Sequence, residues 1–127
     1  MKVKWLSRRI AATGPRLTLC TTAAQCAQAL EELEVKERVP WLGSPHADAT
    51  CHYINHHSGD LACVVCISVA PGRDPIEVAG LLVHEAVHVV QEYFKHIGER
   101  EPAIEQYAYA VQCVSQELMA AYADTLA

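Results

Sequence analysis

Residues 78–90 are apolar on almost every side when wound into a helix, and this stretch constrains the chain more than any other. Asp74-Pro75-Ile76-Glu77 supplies an N-cap, a proline at the first helical position and an acid at the third, and Gly98 supplies a stop. The pattern predicts a helix over 75–97. A helix that is hydrophobic all round belongs in a core, yet this one carries His84, Glu85 and His88. Burying those groups without partners costs several kcal/mol. His84 and His88 are four residues apart, so their rings share one helical face and can grip one ion. Glu85 stands about 100° round the axis from His84. From there it reaches a water in the ion's open position, where a carboxylate can take a proton.

The rest of the chain frames that helix. Arg16–Cys20 alternates as a short strand at the end of an N-terminal segment, 1–20. Thr22-Ala23-Ala24-Gln25 has the spacing of a capping box and opens a helix over 22–36. Residues 48–70 read as a β-hairpin, Ala49–Asn55 and Leu61–Val69, turned at His56-His57-Ser58-Gly59-Asp60. Leu61–Val69 is apolar nearly throughout, which predicts burial on both faces. Pro102 reads as the first position of a last helix over 102–125, packing through Ile104, Val111, Leu118 and Tyr122. The expected fold is one α+β domain: a small antiparallel sheet packed on the 75–97 helix and on an antiparallel C-terminal helix.

With 127 residues, 51% hydrophobic and 20% charged, the chain is long enough for a single core and too apolar for disorder. No apolar run approaches the ~20 residues of a membrane span. Residues 1–20 carry Lys2, Lys4, Arg8 and Arg9 with no apolar run behind them, so no secretory signal is expected. Residues 39–127 hold eleven acidic and three basic side chains, which argues against a nucleic-acid partner. Cys63 and Cys66 are spaced as CxxC, but on a strand they point to opposite faces and cannot chelate one ion. Cys20, Cys26, Cys51 and Cys113 lack a second CxxC. All six are expected to be reduced thiols in a cytoplasmic protein.

Catalytic zinc takes three protein ligands and keeps one position open. The extension HExxHxxGxxH is absent, because Gln91 and Phe94 stand at its glycine and third-histidine positions. His96 is eight residues past His88, ~12 Å along the axis, and is expected to face solvent. Glu105 and Glu101 are the remaining candidates. Glu105 lies inside the last helix and is preferred over Glu101 at its start. His46, His52, His56 and His57 flank the hairpin and are read as loop histidines, with a second ion as the alternative.

From Leu61 to Gln112 the chain resembles the zincin metallopeptidases of the minimal gluzincin type. Glu105-Gln106-Tyr107-Ala108-Tyr109-Ala110 resembles the Glu-Ala-Asp-x-Phe-Ala stretch of ImmA/IrrE-type metallopeptidases of phages and mobile elements. Gln106 and Tyr107 depart from that stretch. The resemblance implies one Zn2+ held by His84, His88 and Glu105, Glu85 as general base, and a peptide or protein as substrate. It implies a hydroxyl from Tyr109 or Tyr107 to the oxyanion, core packing being the other role open to both. It further implies substrate pairing along Leu61–Val69 or Ala49–Asn55. The alternative function is a catalytically silent zincin-fold binding module that keeps the metal.

Overall fold

The computed structural model describes residues 2–6, 14–44, 48–69 and 72–126. The elements run β1 (Arg16–Cys20), α1 (Ala23–Glu32), β2 (Ala49–Asn55), β3 (Leu61–Ile67), α2 (Pro75–His96) and α3 (Ile104–Thr125). This is a small α+β fold, and no described helix is long and apolar enough to cross a membrane.

The sheet has the order β1-β3-β2. β2 pairs antiparallel with β3 from Ala49↔Ile67 to Asn55↔Leu61, the expected hairpin. β1 pairs parallel with β3 from Arg16↔Ala62 to Cys20↔Cys66, so the sheet is mixed rather than wholly antiparallel. β3 is therefore central, and all seven of its residues are buried. Leu61, Cys63, Val65 and Ile67 face α2 and α3, while Ala62, Val64 and Cys66 face α1. The apolar pattern of β3 reflects this double burial. Cys63 and Cys66 do point to opposite faces.

The two edges differ. Residues 2–6 run along β1: the Leu6 N–H donates to the Leu17 carbonyl at 2.8 Å and the Thr18 hydroxyl to the Lys4 carbonyl at 2.7 Å. Among the described residues β2 carries the other edge. β3 cannot offer an edge to a substrate, because both of its sides are already paired.

Local chemistry sets the helix ends. Asp74 Oδ1 accepts from the Ile76 N–H at 2.9 Å, with Pro75 in the first turn. At the other end Gly98 has φ +76°, its N–H donates to the Lys95 carbonyl, and the Glu99 N–H donates to the Phe94 carbonyl. That is a Schellman motif, and Gly98 is the residue that meets its left-handed position without strain. α1 opens as expected, the Thr22 hydroxyl accepting from the Gln25 N–H at 3.1 Å. The Gln25 side chain returns its bond to the Thr21 N–H, one residue earlier than a capping box would place it.

Several boundaries move, and β3 ends at Ile67 rather than Val69. α1 stops at Glu32 rather than 36, because Glu34 takes φ +61° and the Val35 N–H closes back on the Leu30 carbonyl. α3 starts at Ile104 with Ala103 as N-cap, so Pro102 lies in the connection rather than in the first turn. That start sets Tyr107 on Phe94, their rings stacked at 5.9 Å. α2 and α3 pack together on one face of the sheet around Leu82, Val89, Val90, Val114 and Leu118, and α1 packs on the other.

Candidate metal centre

The histidine pair is built by α2 alone. His84 Nε2 and His88 Nε2 stand 3.2 Å apart, with the rings edge-on at 4.9 Å between centroids. Both rings are exposed, on the side of α2 away from Val78, Leu82, Ala86 and Val89. The apolar run is thus not buried all round, and the histidines avoid the desolvation that a core position would impose.

Glu85 does enter the interior, at 6% exposure. Burial pushes its carboxyl above the usual glutamate range, and the two neighbouring histidines oppose that rise. Its surroundings come from β2 and β3. Alternation along β2 puts Cys51 on the α2 face, and Cys51, Cys63 and Glu85 all neighbour the Tyr53 phenol. Burial, first, and these neighbours raise that phenol above its ordinary range. The Cys51 thiol is raised as well, chiefly by its hydrogen bond with Cys63. Tyr53 is thus the tyrosine that the fold brings towards Glu85. The period-2 alternation of β2 could have marked its face, but only the pairing of strand and helix reveals its neighbour.

The other expected site residues lie elsewhere. Glu105 is exposed on the first turn of α3. Neither it nor Glu101 belongs to a group whose ligand atoms all lie within 4.8 Å of one another. Counted back from the Phe94–Tyr107 stack, Glu105 sits near the end of α2, about 12 Å along the axis from His88. Tyr109 is 62% exposed, and Tyr107 packs on Phe94. His96 Nε2 donates to the Gly59 carbonyl at 3.0 Å, tying the end of α2 to the hairpin turn.

The hairpin histidines do not act as one set. His56 and His57 gather with Glu34, and His57 Nε2 lies 3.1 Å from Glu34 Oε2 at the surface. His52 turns to the opposite face of the sheet and joins Cys26 and Cys66. His46 lies outside the described residues. Within the Cys26 group the thiol proton is shared unevenly. A hydrogen bond from Cys66, with help from His52, lowers the Cys26 thiol to about 5. Hydrogen bonds with Cys20 and Cys26 push Cys66 up, and the bond to Cys26 raises His52. Sequence spacing gave no sign of this group, because its members come from three elements.

No known family, curated protein or solved structure matches the chain.

Proposed function

We propose that this chain is a zinc-dependent hydrolase acting on peptide bonds, with the ion held by His84 and His88 and with Glu85 as general base. The observation that carries the reading is the 3.2 Å between the two Nε2 atoms. Two nitrogens on one tetrahedral zinc, each at about 2.0–2.1 Å, stand about 3.3 Å apart. The spacing of these two donors therefore matches the ion. Bound zinc supplies a Lewis acid and a nucleophile of lowered pKa.

The chain's own groups have three tasks. Glu85, raised by burial, binds a proton more readily than an exposed carboxylate does, which suits a general base. Tyr53, on the neighbouring edge strand, offers a hydroxyl to the oxygen on which charge develops. The edge of β2 offers backbone groups to an extended peptide by β-augmentation. An open groove lined by Val35, Val39, Tyr53 and Asn55 runs beside that edge and leaves room for side chains.

Glu85→Gln tests the reading, because it keeps the shape of the side chain and removes the base. The zinc-loaded variant should cleave an unstructured protein such as casein about 10²–10⁴-fold more slowly at unchanged metal content. Wild type that holds zinc and cleaves nothing would make the chain a silent binding module.

A further inference from the structure

We infer that Cys26, His52 and Cys66, with Cys20 beside them, form a second zinc site that is closed and structural and lies on the opposite face of the sheet from the histidine pair. The ligand atoms of Cys26, His52 and Cys66 all lie within 4.8 Å of one another. Cys20 stands directly across from Cys66 in the β1–β3 register, beside but outside that group of three. Three sulfurs and one imidazole nitrogen are a donor set that tetrahedral structural zinc uses.

Each ligand is delivered by a separate device. The Thr22 cap opens α1, and the Cys26 N–H makes the first helical bond to the Thr22 carbonyl at 3.2 Å, which sets Cys26 one turn in. Thr50 pairs with Cys66, so His52, two residues on, is the diagonal neighbour of Cys66 on the same face. His52 Nε2 donates to the Trp41 carbonyl at 3.0 Å, which leaves Nδ1 to face the thiols. A ligating histidine commonly anchors its second nitrogen in this way.

The surroundings favour a closed site over a reactive one. Cys20 and Cys66 are 0% exposed and Cys26 is 1% exposed, so no open position faces a substrate. The apolar core on this face is also thin. Besides the three cysteines its fully buried residues are Ala29, Leu30, Leu33, Ala62 and Val64, with Trp5 and Trp41 packed half-buried at its margin, whereas the α2–α3 face fully buries Tyr93, Phe94 and a row of Val and Leu. An ion tying α1 to all three strands would supply folding energy where hydrophobic burial is smallest.

Cobalt provides the test, because sulfur ligation gives a near-ultraviolet charge-transfer band that nitrogen and oxygen ligands do not. The reduced full chain, titrated with Co2+, should develop this band and lose it when zinc is added. The band should persist in the His84→Ala/His88→Ala double variant, which separates this site from the proposed catalytic one. His52→Ala, at a half-buried position, should weaken binding about 100-fold, and Cys66→Ser should weaken both the binding and the band. If Cys66→Ser fails to fold, the wild-type band and His52→Ala decide. A wild type with no band and six titratable thiols overturns the proposal, as does a Cys20–Cys66 disulfide found by mass in the purified protein.

Discussion

His84 and His88 stand one turn apart on a single helix with both rings in solvent. Cys26, His52 and Cys66 come from a helix and two strands and close inside the α1 face. The first arrangement needs only α2 to be helical. It holds no third ligand within 4.8 Å among the described residues, so an ion there keeps open positions and exchanges readily. The second exists only when β1, β2, β3 and α1 are assembled, so metal affinity there becomes folding energy. The contrast separates the proposed catalytic site from the proposed structural one.

Metal removal should give the largest effect. If zinc is present at about 1,000 times its dissociation constant, stripping it lowers stability by about 4 kcal/mol. The thermal midpoint should fall equally in wild type and in the His84→Ala/His88→Ala variant. A fall confined to wild type would place the cohesive ion on the exposed pair and reverse the comparison.

Substitutions in the metal-free protein should give smaller effects. Cys66→Ser puts a hydroxyl where exposure is 0% and should destabilise by about 1–3 kcal/mol. His84→Ala, on the exposed face of α2, should stay within about 0.5 kcal/mol. Denaturant titrations of the two variants compare the sites directly.

A weaker effect should come from pH. The Glu85 carboxyl is raised in the folded state, so its contribution is fully present below the unfolded glutamate value of about 4.3 and is lost as pH rises through the folded value. Glu85→Gln removes that loss. In metal-free protein it should raise the thermal midpoint near pH 7 and leave it unchanged near pH 4. The same gain at both pH values would mean that burial of the charge is not what Glu85 contributes.

The smallest expected effect is at Glu105. Given its place at the far end of the α2–α3 hairpin, Glu105→Gln should change metal content no more than Glu101→Gln does. A tenfold loss of zinc affinity would bring the first turn of α3 into the site and restore the ligand set that the zincin resemblance implies.

Much of this molecule was legible in its sequence, and the legible parts share one property. The cap at Asp74, the stop at Gly98, the Thr22 start, the β2–β3 hairpin and the His84–His88 spacing all act over a few residues. The helical period of 3.6 and the strand period of 2 carry such information directly. Leu61–Ile67 announced its two-sided burial because every position is apolar. Tertiary structure decided the rest. Pairing β1 parallel to β3 set Cys20 against Cys66, and packing α1 on the even-numbered face of β2 and β3 brought Cys26 to His52. Packing α2 on the sheet drew Glu85 towards Tyr53 and left the histidines outward, and the α2–α3 hairpin left Glu105 at the far end. A register between distant segments leaves no local trace, because it is fixed by which surfaces exclude water together rather than by the residues beside any one of them.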